Sequence, residues 1–268
     1  MLILSFGWWY LKLLDRVGHE RLLFGHRGVP REAPENTIAG FRRALELGLD
    51  GVELDVCSCN SAELVIFHDE DVSRLTDGTG RVQELTFTEL RRLDAGIKFG
   101  RQFQGERIPI LDEVLELLGG KMLVNIELKT KSIRDDGLEG KVVALIQKMK
   151  LQSSIILSSF NPTSLRRVKR HDPSLVTALL FSDDQPIHLR QAWAARILTL
   201  EGIHPRFPLV TRKMVQKARS KKWFLGTWTV DSAAEAARLY DAGIDIIISN
   251  RPAQLREKLS RNREVQRF

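Results

Sequence analysis

Two acidic residues spaced two apart, Glu53-Leu54-Asp55, lie in the apolar run Gly51 to Val56. Side chains of an extended strand repeat every two residues, so both carboxylates share one face. Like charges side by side in such a strand repel and lose hydration, and a bound divalent cation relieves both costs. Ligation by oxygen alone points to one hard ion, Mg2+ or Ca2+, rather than zinc. A second run, Asn125-Ile126-Glu127-Leu128-Lys129, puts Glu127 and Lys129 on one face. There the carboxylate can complete a metal site while the ammonium meets a phosphate oxygen; a structural Glu127–Lys129 salt bridge is the alternative. In Gly25-His26-Arg27-Gly28 the glycines let backbone and ligand approach closely, and Arg27 offers a two-pronged fork for phosphate.

Such groups need a scaffold that brings separate strand ends together. Short β-branched or leucine-rich runs alternate with helix-period stretches, the pattern of βα units and a parallel sheet. Nine runs read as strands: Arg21 to Gly25, Gly51 to Val56, Glu63 to Phe67, Met122 to Leu128, Ser154 to Ser159, Leu175 to Phe181, Arg196 to Leu200, Trp223 to Thr229 and Asp245 to Ser249. Only six residues separate Val56 from Glu63, too few for a parallel crossover, so the second and third runs must form an antiparallel hairpin. Eight parallel strands remain, which predicts a (β/α)8 TIM barrel with its chemistry at the C-terminal strand ends. A hairpin turn centred between Asn60 and Ser61 pairs residues whose numbers sum to 121. Glu53 then faces His68, Asp55 faces Ile66, and His68 returns to the carboxylates.

The expected organisation is an apolar helix over 1–20, a barrel domain over 21–258 and a basic tail over 259–268. A small inserted subdomain over about 73–105, with a helical piece at Thr86 to Leu93, follows the second-strand hairpin. Leu111 to Leu118 resumes the barrel pattern. Asn36 or Thr37 is placed to cap a helix over Ile38 to Leu47, with Glu35 bracing the loop that bears His26.

At 268 residues, with 43% apolar and 28% charged residues, the chain is a globular protein large enough for one such barrel. The net charge of +7 favours anionic partners, yet the basic residues form no nucleic-acid motif, so none is expected. Cys57 and Cys59 exclude a disulfide framework and read as packing residues. The opening MLILSFGWWYLKLLD is too short to span a bilayer and lacks a secretory cleavage signal. It reads as a helix plugging the barrel bottom or, alternatively, as a peripheral membrane contact through residues 1–18. The expected location is the cytoplasm, or the membrane periphery through that segment.

His26-Arg27-Gly28, Pro34-Glu35-Asn36-Thr37, Glu53-x-Asp55, His68-Asp69, Arg74-x-Thr76-x-Gly78-x-Gly80, Ile108-Pro109-x-Leu111, Asn125-x-Glu127-x-Lys129, Ser159-Phe160 and Trp228-Thr229-Val230 resemble, in order and spacing, the glycerophosphodiester phosphodiesterase family. The resemblance covers about residues 22 to 255. It implies hydrolysis of small-molecule glycerophosphodiesters to sn-glycerol 3-phosphate and an alcohol. It further implies His26 and His68 as the general acid/base pair, Arg27 and Lys129 as phosphate contacts, and Glu53, Asp55 and Glu127 as metal ligands. By the same similarity Trp228 walls the glycerol site. The chain departs from the usual pattern at Asp231, where the family often has Asn, and at Ser249-Asn250, where it often has Thr-Asp. Rival readings are a lysophospholipase D or phospholipase C-like activity on membrane lipids, and a non-catalytic membrane-associated binding barrel.

Overall fold

The computed structural model describes residues 21–130, 134–185 and 198–265, so the expectations placed on residues 1–20 lie outside the described residues. Its strands are β1 (Leu22–Gly25), β2 (Gly51–Ser58), β3 (Leu64–Ile66), β4 (Leu123–Leu128), β5 (Ile155–Ser159), β6 (Val176–Phe181), β7 (Gly202–Pro205), β8 (Phe224–Thr227) and β9 (Ile246–Ser249). Parallel pairing runs β1-β2-β4-β5-β6-β7-β8-β9 and returns from β9 to β1, closing an eight-stranded (β/α)8 barrel. β3 lies outside that ring, antiparallel to β2.

Side-chain alternation decides what fills the barrel and what meets the helices. Leu22, Phe24, Leu123, Ile156, Val176, Ala178, Phe224, Ile246 and Ile248 form the interior cluster. The intervening residues, among them Leu54, Val56, Val124, Ile126 and Leu157 on one side and Leu23, Leu179, Leu225 and Ile247 on the other, pack beneath the helices. Fully burying one such side chain contributes about 1.5–3 kcal/mol.

The helices begin where the sequence supplies partners for their free N–H groups. Thr37 caps α1 (Ile38–Glu46) by accepting from Gly40 N at 3.1 Å. Asn161 caps α5 (Pro162–His171), whose Pro162 at the first turn needs no N–H partner. Between them lie α2 (Phe87–Leu90), α3 (Leu111–Leu118) and α4 (Leu138–Met149); α6 (Arg212–Ser220), α7 (Ala233–Ala242) and α8 (Pro252–Val265) follow. No helix among the described residues is long and apolar enough to cross a membrane.

The segment that follows the hairpin carries short 3-10 turns at Val72–Arg74 and Arg101–Phe103, and α2 is shorter than the Thr86 to Leu93 expected. It packs on a satellite core of Cys57, Cys59, Val65, Phe67, Val72, Val82, Leu90, Ala95 and Ile108. Both cysteines are buried and unbridged within it, and burial pushes the Cys57 thiol up to about 12.

Two expectations need correction. Residues 198–200 of the run expected as a strand at Arg196 to Leu200 belong to no strand, and the seventh parallel strand is β7 instead. Its inward residues are Gly202 and His204 and it ends at Pro205, so it lacks the apolar run that marks the others. The hairpin pairs Val56 with Ile66 and Ser58 with Leu64, a sum of 122 rather than 121. Ala62 takes a left-handed conformation (φ 72°) in the Cys59–Ala62 turn, and this extra turn residue moves the register by one. Ladder pairing therefore does not set Glu53 opposite His68 or Asp55 opposite Ile66; His68 lies beyond the end of β3.

Candidate active site

The C-terminal ends of β1, β2 and β4 converge on three carboxylates. Asp55 lies opposite Glu127 in the β2–β4 ladder, with Glu53 two residues earlier on the same face. Ligand oxygens from Glu53, Asp55 and Glu127 all lie within 4.8 Å of one another. Glu53 and Asp55 are buried, and Glu53 Oε1 and Asp55 Oδ1 have no hydrogen-bond partner. Buried carboxylate oxygens left open beside like charges are the donor set a hard divalent cation requires.

The neighbours divide the three acids. Burial, with Asp55 and Glu127 alongside, pushes Glu53 well above the usual carboxylate range. Burial works the same way on Asp55, but the charges of Lys129, Arg27 and His68 and a bond from Asn36 outweigh it and hold Asp55 low. Burial also raises Glu127, although Lys129 Nζ donates to its Oε1 at 2.8 Å. The same ammonium stands 3.4 Å from Asp55 Oδ1, so Lys129 bridges two of the three acids.

β1 delivers His26 and Arg27 to this cluster. Arg27 turns into the left-handed region (φ 54°) and its N–H donates to Glu53 Oε2 at 3.0 Å. Gly28 follows at φ 91°, where a Cβ would meet the Gly40 backbone at 2.9 Å, so glycine is required on both conformational and spatial grounds. The Arg27 guanidinium donates to Glu35 Oε1 at 2.8 Å and lies 3.3 Å from Asp55 Oδ2. His26 Nε2 lies 3.8 Å from Glu53 Oε2, while its Nδ1 meets Asn250 Oδ1 at 2.7 Å. Burial, reinforced by the Arg27 charge, pushes His26 down to about 4.

His68 reaches the site through the loop after β3. Its Nδ1 pairs with Asp69 Oδ1 at 2.6 Å. Arg74 then bonds Asp69 Oδ2 through Nε and Glu35 Oε1 through Nη2, the latter at 2.7 Å. A continuous polar chain therefore runs from His68 through Asp69, Arg74 and Glu35 to Arg27.

Of the eight residues expected at the site, His26, Arg27, Glu53, Asp55, Glu127 and Lys129 thus gather at the ends of β1, β2 and β4, His68 joins them from the loop after β3, and Trp228 stands apart after β8, with β9 between it and β1. Trp228 follows β8, meets Phe160 edge-to-face at 5.5 Å, and is fixed by its indole N–H to His204 O at 2.9 Å. Sequence reasoning gave no site role to Asn36, Asp69, Arg74, Asn250 or Asp231. Asn36, expected only as a possible cap, sits at φ 56° and donates from Nδ2 to Asp55 Oδ2 at 2.8 Å. The only local signal for it was an asparagine, a residue tolerant of the left-handed region, directly before the capping Thr37.

Residues 26–254 match the model of the glycerophosphoryl diester phosphodiesterase family. The chain is 42% identical over 237 residues to a glycerophosphodiester phosphodiesterase of Caldanaerobacter subterraneus subsp. tengcongensis, covering 87% of this chain and 96% of that one. It is 32% identical over 244 residues to a glycerophosphodiester phosphodiesterase of Bacillus altitudinis, covering 88% and 98%. Among solved structures, an Oleispira antarctica phosphodiesterase in complex with the product sn-glycerol-3-phosphate aligns with a TM-score of 0.78 at 30% identity, covering 89% and 96%. Family match, identity across nearly the whole barrel and a common fold agree, and the chain belongs to the glycerophosphoryl diester phosphodiesterase family.

Proposed function

We propose that this enzyme hydrolyses small glycerophosphodiesters to sn-glycerol 3-phosphate and an alcohol. One divalent cation, Mg2+ or Ca2+, would be held by Glu53, Asp55 and Glu127. The observation that carries the reading is the cluster of Glu53, Asp55 and Glu127 oxygens within 4.8 Å of one another, with Glu53 Oε1 buried and without a hydrogen bond, flanked by two histidines and two cations. The sn-glycerol-3-phosphate bound by the Oleispira antarctica relative supports the product.

When bound, the metal supplies charge neutralisation at the phosphoryl oxygens. Arg27 and Lys129 add fixed positive charge at the same place, aimed where charge builds up as the phosphorus is attacked. His26 Nε2 takes the proton from the attacking hydroxyl, of water or of the glycerol 2-position, as the new P–O bond forms. His68 Nε2 gives a proton to the departing alkoxide as the old P–O bond breaks; the bond from its Nδ1 to Asp69 Oδ1 orients the ring for that part. Where the 2-hydroxyl attacks, a cyclic phosphate results, and water then opens it with the two histidines in exchanged roles, His68 taking the proton of water and His26 returning one to the 2-oxygen. Trp228, with Phe160 at its edge, offers an apolar wall to the glycerol carbons.

The test is release of sn-glycerol 3-phosphate from glycerophosphocholine and glycerophosphoethanolamine with Mg2+, Ca2+ or EDTA, beside His26→Ala and Glu53→Ala. Turnover with a divalent ion and its loss in EDTA and in both variants is expected. Full turnover in EDTA would overturn the metal assignment, and full turnover in His26→Ala the acid/base one.

A lipid substrate is the second reading. Ile97 and Phe99 are the exposed large apolar side chains among the described residues, in the segment that also carries Arg74. Release of choline from a lysophospholipid at a rate matching glycerophosphocholine, lost on removing residues 1–18, would favour it and a peripheral membrane contact.

A further inference from the structure

We propose that Asp231 and Asn250 are positioning residues that hold His26 in one tautomer, with its proton on Nδ1 and the lone pair of Nε2 turned to the reacting groups. This rests on the acid/base reading of His26 and extends it to two residues that touch no substrate in that scheme.

The geometry forces the assignment. Asp231 follows β8, and its carboxylate gathers three donors from the end of β9 and the residue after it. Ser249 Oγ donates to Oδ1 at 3.0 Å, Asn250 N to Oδ1 at 2.8 Å, and Asn250 Nδ2 to Oδ2 at 3.2 Å. An ionised carboxylate only accepts, so the amide nitrogen of Asn250 must face Asp231 and the amide oxygen must face His26. That oxygen, 2.7 Å from His26 Nδ1, also only accepts, so Nδ1 carries the hydrogen. The one ring nitrogen left to take a proton is Nε2, 3.8 Å from Glu53 Oε2.

The backbone secures the same alignment. His26 N donates to Ser249 O at 2.8 Å, and Ser249, fully buried, also caps Arg251 N through its hydroxyl at 2.9 Å. His26 therefore moves with the strand end that Asp231 brackets. Without the Asp231 carboxylate, the Asn250 amide is free to turn over and present Nδ2 to the imidazole. The ring then accepts at Nδ1 and carries its hydrogen on Nε2, the wrong form for a base at that atom.

The relay can be inverted without breaking it. In the double swap Asp231→Asn/Asn250→Asp, the amide introduced at position 231 would donate to the carboxylate introduced at position 250, whose other oxygen still accepts from His26 Nδ1. The amide oxygen at position 231 would still accept from the backbone N–H of position 250 and from the Ser249 hydroxyl. The tautomer survives the swap but not the single changes Asp231→Ala or Asn250→Ala.

The experiment measures kcat and KM for glycerophosphocholine in the full chain, the two single variants, the double swap and His26→Ala. The 15N resonances of the His26 ring are recorded in the full chain, the single variants and the swap. Expected are a kcat loss on the order of 10- to 10²-fold in each single variant with KM within about threefold, and recovery to within about threefold in the double swap, since orienting a base is worth up to the whole of its contribution. The ring nitrogens should report the Nδ1–H form in the native protein and the swap, and a different form in Asp231→Ala. An Nε2–H ring in the native protein overturns the inference, as does unchanged kcat in both single variants beside an inactive His26→Ala. Full activity in His26→Ala overturns the acid/base reading itself, a result distinct from either.

Discussion

Asp55 stands directly across the β2–β4 ladder from Glu127, and one ammonium, Lys129, reaches both carboxylates. Glu53 makes no ion pair with that ammonium, and its buried Oε1 has neither a hydrogen bond nor a counter-ion, whereas Asp55 Oδ1 has Lys129 at 3.4 Å. The two β2 acids should therefore respond oppositely when neutralised in metal-free protein. Glu53→Gln removes a repelled charge while keeping an acceptor for Arg27 N–H, so melting in EDTA should rise by a few degrees, about 1 kcal/mol or more. Asp55→Asn leaves Arg27 and Lys129 without their shared counter-ion and should cost about 3–5 kcal/mol. In the native protein, a cation at about a hundred times its Kd should raise Tm by on the order of 5–10 °C. Differential scanning fluorimetry with EDTA, Mg2+ and Ca2+ reads all three, and equal shifts in the two variants would remove the distinction.

Arg74 separates activity from stability. Its side chain is half exposed, and exposed ion pairs contribute about 0.2–1 kcal/mol. Yet among the described residues it is what links Asp69, the partner of His68, to Glu35, the partner of Arg27. Arg74→Ala should lower kcat on the order of tenfold while moving Tm by no more than about 2 °C. Arg74→Lys should recover little, because a single ammonium does not reproduce a fork that spans two carboxylates. A Tm loss proportionate to the activity loss would make the residue merely structural.

The barrel was readable because most of its strands are apolar runs of the right length, and the hairpin because a six-residue gap admits no parallel crossover. β7 was hidden by its own contents: Gly202 leaves room beside Phe224, His204 fills the space that Gly226 leaves open, and Pro205 looks like a turn. The metal-type carboxylates were legible because Glu53, Asp55 and Glu127 are anomalous in apolar strands. Asn250 and Asp231 were not, since either is ordinary in a loop and only the folded chain sets them against His26. The one-residue register difference has the same origin: the αL conformation of Ala62 leaves no composition signal, and alanine is an unusual choice for it.

Away from the site, Lys169 and Glu201 tie α5 to the sheet. Lys169 Nζ meets both Glu201 oxygens at 2.7 and 2.8 Å and Leu175 O at 2.6 Å, while Glu201 Oε2 accepts Thr177 N at 2.8 Å. Both side chains are largely buried, so removing Lys169 takes the counter-ion from a buried carboxylate that keeps its bonds from Thr177. Lys169→Met should cost about 3–5 kcal/mol, a Tm loss on the order of 10 °C, with kcat of the folded protein unchanged. Denaturant unfolding paired with activity at about 20 °C, well below the melting range of such domains, checks both halves, and a loss below about 1 kcal/mol would mean that the pair is well solvated.

His204 makes the sharpest statement about pH. It lies in the barrel interior, edge-on to Phe224 at 5.7 Å, fully buried and with neither ring nitrogen hydrogen-bonded. Burial alone pushes it down to about 3 from an ordinary 6.5. Above pH 6.5 the ring is neutral in both folded and unfolded chains and contributes nothing to the pH dependence. Below 6.5 the unfolded chain binds a proton that the folded barrel refuses, so stability falls with pH down to about 3, at about 1.4 kcal/mol per unit. Between about pH 6.5 and 5 that amounts to about 2 kcal/mol. His204→Leu, of similar size and suited to the apolar surroundings, should lack this loss. Every other group titrating in the window is common to both proteins, so the difference in unfolding free energy between about pH 7.5 and about pH 5 isolates His204. Equal losses in the two proteins would mean that the buried imidazole takes up a proton in the folded state and has a partner there to hold it.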